Sequence, residues 1–239
     1  MAEEPIPTLL WAREPRAPRR QAPGIDRIVS ASVAIADAEG LDALSMRRVA
    51  ADLGTGTTSL YRYVAGRDDL LDLMVDAVGG DCPTDPLTGD WRADLAAFAR
   101  ELRAGLLRHP WLGALMMSRP ALGPNSLRRL DRALAAAAPL TPDTTLANSA
   151  IGALRHYVIG AVGDQLAEQD TQRRTGLTPE QWRASVGPYI REVIAGGEYP
   201  HFSRMVLEAE HPDADQRFEF GLDCFLTGLA ARLGAATGG

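Results

Sequence analysis

A short polar segment at residues 57–63, TTSLYRY, carries side chains that suit contacts with phosphates and base edges. The members expected to face outward are Thr57, Thr58, Ser59, Tyr61, Arg62 and Tyr63. Hydroxyl, phenol and guanidinium groups bond to phosphate oxygens and to the base edges exposed in the grooves of DNA. Leu60, in the middle of the segment, is expected to anchor it to a core. The pattern predicts a short helix that contacts nucleic acid.

The residues just before this segment predict the first helix of a helix-turn-helix. Ala50 lies four residues before Gly54, and Leu60 follows six residues after that glycine. A small residue lets two helices cross closely, and glycine adopts the left-handed conformation that ends a helix. Val49 and Leu53 complete the inner face of the first helix at helical spacing. The alternative is a structural helical hairpin, but the second helix is too short and too polar outside to be a core element.

Residues 26–78 resemble the N-terminal domain of the TetR family of bacterial repressors. A leading helix at 25–38 is followed by LSMRRVAADLG and then by TSLYRYVAGRDDLL, in the order that the family has. The most specific positions of the resemblance are Leu60, Tyr61, Tyr63, Val64 and Arg67. The resemblance implies a DNA-binding head built around the predicted helix-turn-helix.

The same resemblance assigns roles on DNA to individual side chains. Arg47, early in the first motif helix, is expected to reach a base, namely a guanine in a bidentate contact. Thr57 and Ser59 are expected to face base edges or adjacent phosphates. Contacts with phosphates and thymine methyl groups are implied for Tyr61 and Tyr63. Arg67 is expected to clamp a phosphate together with backbone N–H groups, whereas Arg62 replaces what is often an aromatic residue.

The composition favours a specific DNA-binding protein over a nonspecific one. A chain of 239 residues is long enough for a small domain and a larger one. Its net charge of −6 argues against nonspecific coating of nucleic acid, which needs many phosphate neutralisations. The chain has no lysine, and a local positive face is expected from Arg47, Arg48, Arg62 and Arg67.

Two cysteines, Cys82 and Cys224, lie far apart and lack metal-ligand spacing, so we expect reduced thiols. No segment near the N-terminus has the apolar length of a signal peptide, and no apolar run is long enough to span a bilayer. The chain is therefore expected to be soluble, cytoplasmic and without a membrane partner.

Residues 1–24 are rich in proline and arginine and are expected to be disordered alone. The arginines of this segment are Arg13, Arg16, Arg19 and Arg20. One interpretation is an arm that follows the phosphates or enters the minor groove. The alternative is a solvated tail.

The remaining chain predicts an all-α fold in two domains, a DNA-binding domain at 25–80 and a larger domain at 90–235. Glycine and proline between them mark the boundary. In the larger domain, a long helix is predicted from 143 to about 168, a polar loop from 169 to 178 and a last helix from 214 to 233. No strand-like alternation is sustained.

The larger domain resembles the C-terminal domain of the tetracycline-repressor branch, so the resemblance implies a ligand pocket there. The residues that carry it are Trp91, LLRHP at 106–110, SRP at 118–120 and RHYVIG at 155–160. In the tetracycline sensors a histidine just upstream of the RP element ligates drug-bound magnesium. Leu115, Met116 and Met117 occupy that stretch here and offer no metal ligand. The expected inducer is a small molecule other than tetracycline–magnesium, and neither a metal nor a cofactor is predicted.

The candidate pocket residues come from the segments that surround the cavity in the family and mix apolar walls with a few polar groups. They are His109, Trp111, Met116, Met117, Arg119, Asn148, His156, Tyr157, Asp164, Gln165 and Trp182. Several have an ordinary structural alternative. The two methionines suit plain core, His156 suits a satisfied core histidine, and Arg119 suits a helix cap or an ion pair.

The last helix and the long helix are apolar on more than one side, which is typical of a helix shared with a partner subunit. In the last helix, Phe220 and Leu226 lie off the main stripe. The resemblance implies a homodimer joined through a four-helix interface, and a two-fold dimer reads a palindrome. The predicted interface residues are Tyr157, Ala161, Phe218, Leu222, Phe225 and Leu229.

The sequence carries no pattern typical of an enzyme. The histidines at 109, 156, 201 and 211 fit no metal spacing, and neither a glycine-rich phosphate loop nor a nucleophile elbow is present. A regulator without an inducer is one alternative, and an activator rather than a repressor is another. The leading hypothesis is a ligand-responsive homodimeric repressor.

Overall fold

The computed structural model describes residues 10–12, 24–80, 85–118 and 121–234, and within them the secondary structure is helical, with no strand. The head consists of α1 (Ile25–Glu39), α2 (Met46–Asp52), α3 (Thr57–Leu60) and α4 (Arg67–Gly80). The body consists of α5 (Trp91–Arg108), α6 (Leu112–Ser118), α7 (Pro124–Ala137), α8 (Thr144–Thr175), α9 (Pro179–Gly196), α10 (Pro200–Glu208) and α11 (Ala214–Gly234). A three-residue 3₁₀ turn, Leu10–Ala12, lies before the head, and the arm arginines lie outside the described residues. The predicted all-α fold is confirmed.

Local sequence explains the turn between α2 and α3. Ser45 caps α2 by accepting a hydrogen bond from the Arg48 N–H at 3.1 Å. Gly54 has φ of +62°, the left-handed conformation that ends the first motif helix. Leu60 is fully buried and joins α3 to the core of the head. Ala50 is 3% exposed, as expected for a small residue at a close helix crossing.

The body is built on α5 and α8, which pack against each other and against α7 and α11. Asp90 caps α5 and Asp143 caps α8, each accepting from two backbone N–H groups. Inside α5, Asp94 accepts hydrogen bonds from Thr88 and Gly89, and the Thr88 N–H lowers the pKa of this carboxyl. These bonds fix the segment that enters the body.

The predicted end of the long helix is wrong, because α8 continues to Thr175, through most of the expected loop at 169–178. The residues beyond Glu168 are polar but include good helix formers, so polarity alone did not end the helix. Gly176, with φ of +70°, ends it instead. A polar stretch on an exposed helix end has no apolar periodicity to reveal it.

Two helices after α8 contribute no buried residue. Thr178 and Gln181 form a capping box at the start of α9. The short α10 that follows was not predicted. Both helices expose large apolar side chains, including Trp182 at 53% and Leu207 at 72%.

In the described part of the chain, no helix is long and apolar enough to cross a membrane.

Candidate DNA-binding surface and ligand-binding domain

The outer side of α3 and the turn after it forms a polar surface. Thr58, Tyr61 and Arg62 are exposed, Tyr61 by 50%. Thr57 and Ser59 are half-buried. Leu60 of the same helix is buried in the head core, so the packing of that core fixes the orientation of this surface. We call Arg47 and these outer residues of α3 and its following turn the α3 surface.

Arg47 and Arg48 are neighbours with different surroundings. The Arg48 guanidinium donates to Glu39 at 2.7 Å and lies 3.5 Å from Asp52. The hydrogen bond to Glu39 raises the pKa of Arg48. Arg47 is exposed and has no hydrogen bond or ion pair to a described residue. Of the two cations, Arg47 is therefore the one with all its donors available to DNA.

Arg67 ties the start of α4 to the loop between α1 and α2. Its Nη2 donates to the carbonyl oxygen of Leu41 at 3.0 Å, and its Nε donates to that of Leu44 at 3.4 Å. A guanidinium has five N–H donors, so the phosphate contact predicted for Arg67 stays a prediction for the donors left over. Sequence reasoning missed the structural bond because it joins residues distant in sequence.

The structure corrects the role expected of Tyr63. Its ring is half-buried, and its hydroxyl is buried without a hydrogen-bond partner in the described chain. A hydroxyl that is closed off from solvent cannot reach a phosphate in this conformation. Tyr63 instead packs against the core of the head.

A partly buried contact joins the head to the body. Asp37 in α1 accepts two hydrogen bonds on the same oxygen, Oδ1, from His109 Nδ1 at 2.8 Å and from Trp111 Nε1 at 2.6 Å. Both rings are 6% exposed and lie at the corner between α5 and α6. We call this contact the Asp37 bridge.

The Asp37 bridge gives His109 Nδ1 and Trp111 Nε1 a structural role in joining the head to the body. The ligand contacts expected of these two rings stay a prediction for His109 Nε2 and the ring faces. Sequence reasoning missed the bridge because His109 lies 72 residues from Asp37.

A buried aspartate joins α4 to the body. Asp76 is 5% exposed, and its Oδ1 accepts from the Ser126 N–H at 2.9 Å, in the first turn of α7. The Asn125 side-chain amide donates a hydrogen bond to the Asp76 backbone carbonyl at 3.0 Å. A carboxylate at a helix N-terminus is favourable because of the exposed N–H groups there. Asp76 interrupts the apolar stripe of α4, a signal that sequence reasoning did not use.

The other candidate pocket residues differ in their exposure and in their partners. Met116 packs half-buried against the core, while Met117, Asn148, His156 and Asp164 are exposed. Gln165 accepts a hydrogen bond from Arg103 at 2.9 Å. Trp182 lies exposed on α9, and Arg119 falls outside the described residues. A cleft of about 240 Å³ lies between α4 and α6, lined by Asp68, Leu71, Asp72, Val75, Leu115, Ser118 and Ala121.

The predicted dimer residues divide between the interior and the surface. Phe218 and Leu222 are 2% and 1% exposed and pack inside the protomer, which corrects their assignment to an interface. The Tyr157 hydroxyl donates to the Phe218 carbonyl at 2.6 Å, and burial raises the pKa of this phenol. Ala161 is half-buried, and Phe225 and Leu229 are partly buried against the same core.

The exposed faces of α8 and α11 consist of other residues. Phe220 is 74% exposed on α11. Small exposed residues lie on both helices, namely Gly228 and Ala231 on α11, and Ala153, Gly160 and Gly163 on α8. We call Phe220 and these small residues the α8–α11 face. A large apolar side chain amid small residues suits close packing of helices.

Comparisons with known proteins match both parts of the chain. Residues 28–74 match the family described as "Bacterial regulatory proteins, tetR family", and residues 82–233 match "Tetracyclin repressor-like, C-terminal domain". The HTH-type transcriptional repressor DrrR1 of Streptomyces coeruleorubidus is 47% identical over 226 residues, which are 92% of this chain and 83% of DrrR1. An HTH-type transcriptional regulator of Saccharopolyspora erythraea is 36% identical over 97% of this chain and 95% of its own.

Solved structures agree with these matches. Apo ActR from Streptomyces coelicolor has a TM-score of 0.75 and 32% identity, covering 88% of this chain and 96% of ActR. ActR in complex with actinorhodin has a TM-score of 0.71, with 88% and 97% covered. The matched structures thus share both the helix-turn-helix head and the helical body with this chain.

Proposed function

Since this chain belongs to the tetR family of bacterial regulatory proteins, we propose that it is a homodimeric transcriptional repressor. It binds a palindromic operator and leaves it when a small molecule occupies the body. The relatives are transcriptional regulators rather than enzymes by name, and several are named repressors.

The observation that carries the DNA-binding part is the α3 surface. The buried Leu60 fixes a short helix whose outer residues are hydroxyls, a phenol and a guanidinium. The donors of Arg47 are free of protein partners among the described residues, which suits a bidentate contact with guanine. One such helix reads few base pairs, so two copies related by a two-fold axis read a palindrome.

The α8–α11 face supports the dimer. Its exposed phenylalanine and its small side chains lie on the two helices that the family resemblance implicates in subunit contact. An isologous interface uses the same patch on both subunits, and α8 and α11 contact each other in the protomer. We therefore assign Phe220, rather than Phe218 or Leu222, to the subunit interface.

The ligand part of the proposal draws on a relative. ActR, 32% identical, is described in complex with actinorhodin and in complex with (S)-DNPA. The ligand of this chain is proposed to occupy the corresponding body domain. It differs from tetracycline–magnesium, because Leu115, Met116 and Met117 supply no metal ligand.

We propose that the Asp37 bridge and Asp76 transmit ligand binding to the head. The bridge joins α1 to the corner between α5 and α6, and Asp76 joins α4 to the start of α7. A ligand that moves α6 shifts the first contact, and one that moves α7 shifts the second. Its differential affinity for the two conformations sets how far the operator affinity falls.

The DNA-binding part is tested by replacing Arg47. We expect Arg47→Ala to cost about 1–3 kcal/mol of operator binding and to relax specificity at one base pair of each half-site, because a bidentate base contact is lost. Fluorescence anisotropy with an operator and its single-base variants measures both effects. Arg174→Ala, an exposed arginine of α8, is the matched control. A uniform loss over all base variants would show that Arg47 contacts only the phosphates.

A further inference from the structure

Arg155, in the middle of α8, has no hydrogen bond or ion pair to any residue that the structure describes. Its Nε is buried without a partner. The guanidinium carries five N–H donors and no acceptor, so it needs an acceptor or an anion. Two arginines of the neighbouring helix α5 have one: Arg100 bonds to Glu219 at 2.7 Å, and Arg103 to Asp215 at 2.6 Å.

Arg155 lies on the side of α8 that turns toward α6 and α7. Ile159, one helical turn later on the same side, packs against α6. A Cβ atom added at Gly113 of α6 would lie 3.7 Å from Ile159 Cγ2, which is van der Waals contact. Ile151, one turn earlier, packs against Ala133 and Ala137 of α7. Arg155 therefore stands between a contact with α7 and a contact with α6.

This side is distinct from the two other sides of α8. Tyr157 meets α11 through its bond to the Phe218 carbonyl. His156 and Gly160 point outward on the α8–α11 face. The free guanidinium thus belongs neither to the contact with α11 nor to the proposed subunit interface.

The apolar core beside this side of α8 falls into two parts, and Arg129 of α7 lies over the Phe98 ring, 5.9 Å from its centroid. The buried core separates into a large cluster and a small cluster of α7 and α8, and Phe98 packs against both. Beside them, α6 buries only Leu112 among its described residues. A cation with unused donors among apolar helices suits an anionic group carried on an apolar body, because the charged bond and the apolar contact then form together.

We propose that Arg155 binds the acidic group of the regulatory ligand, and that the ligand is an aromatic anion such as a carboxylate, sulfonate or phenolate. The inference rests on the proposed function, since it names the ligand class of the body domain. Arg155 supplies the charged bond, while Phe98 and Ile159 supply apolar contact.

The test uses two fluorescent probes that share one ring system. 8-Anilinonaphthalene-1-sulfonate is an anion, and N-phenyl-1-naphthylamine is the same pair of rings without the sulfonate. We expect the full-length chain to bind the anion more tightly despite its own net charge of −6. Arg155→Met should weaken anion binding about tenfold or more and leave the neutral probe within about twofold, because charge-assisted bonds are lost but apolar surface is kept.

Three comparisons make the result decisive. Arg155→Lys keeps the charge without the planar fork and should fall between the wild type and Arg155→Met. Arg174→Met, an exposed change on the same helix, should leave both probes unchanged. Equal affinity of the wild type for both probes, or an equal loss of both in Arg155→Met, would overturn the proposal.

Operator binding by the same proteins is measured in parallel. Intact operator binding without a preference for the anion overturns the ligand class alone. A wild-type chain that binds no DNA but prefers the anion overturns the proposed function and leaves the site on Arg155 standing.

Discussion

Replacing Asp37 with alanine is expected to lower the free energy of unfolding by about 1–3 kcal/mol, because two buried donors lose the acceptor that they have among the described residues. Those donors are His109 Nδ1 and Trp111 Nε1, at 2.8 and 2.6 Å from Asp37 Oδ1. The same change should weaken the response of operator affinity to ligand, since α1 is no longer tied to the body. Urea denaturation and operator titrations measure the two effects.

Further variants distinguish the loss of the Asp37 bridge from nonspecific destabilisation of the fold. Asp37→Asn keeps an acceptor oxygen and should retain most of the stability. On a background of Trp111→Phe, which removes one donor and keeps the ring, the cost of Asp37→Ala should shrink, as expected for groups in direct contact. Asp131→Ala, on the exposed side of α7, should change stability by no more than about 0.5 kcal/mol. Full additivity of the Asp37 and Trp111 changes would contradict the bridge.

The second large effect is expected from Phe220→Asp, which should convert the dimer to a monomer. A charge in the centre of an apolar interface is desolvated without a partner, so association is lost. Light scattering should then report the 25.7 kDa of one chain instead of twice that mass. Affinity for a full palindrome should fall by about 10²–10⁴-fold, because the second half-site no longer gains from linkage.

A matched control exists on another helix. Leu127 is 47% exposed on α7, outside the α8–α11 face. Leu127→Asp should keep both the mass of the dimer and its operator affinity. Because Phe220 is 74% exposed in the protomer, Phe220→Asp should stay folded by circular dichroism. A folded Phe220→Asp variant that remains dimeric would refute the assignment of this face.

The helix-turn-helix was predictable because its determinants are local. Ala50, Gly54 and Leu60 lie within one short stretch, and each has one structural reason for its type. Three of the four inner positions predicted there, Val49, Ala50 and Leu60, are buried, Leu53 is half-buried, and Gly54 has the expected positive φ. The all-α fold followed from sustained helical periodicity.

Side-chain partners across the fold were not predictable in the same way. His109 has the chemistry of a ligand-binding residue, and nothing nearby in sequence shows that Asp37 occupies it. Phe218 and Phe220 are both apolar, and helical periodicity cannot tell which side of α11 faces the protomer. That choice depends on how α11 packs on α5 and α8, which is set by the tertiary fold. For the same reason, only the structure shows that Arg155 has no hydrogen-bond partner among the described residues.

The central claim is most directly tested by selecting bound sequences from random duplex DNA with the purified full-length chain. The α3 surface and the α8–α11 face together predict enrichment of one palindrome whose half-sites are centred about one helical turn apart. Enrichment of a single unrepeated site would contradict the dimer. No enrichment over nonspecific DNA, with the ligand removed by refolding, would contradict the DNA-binding function itself.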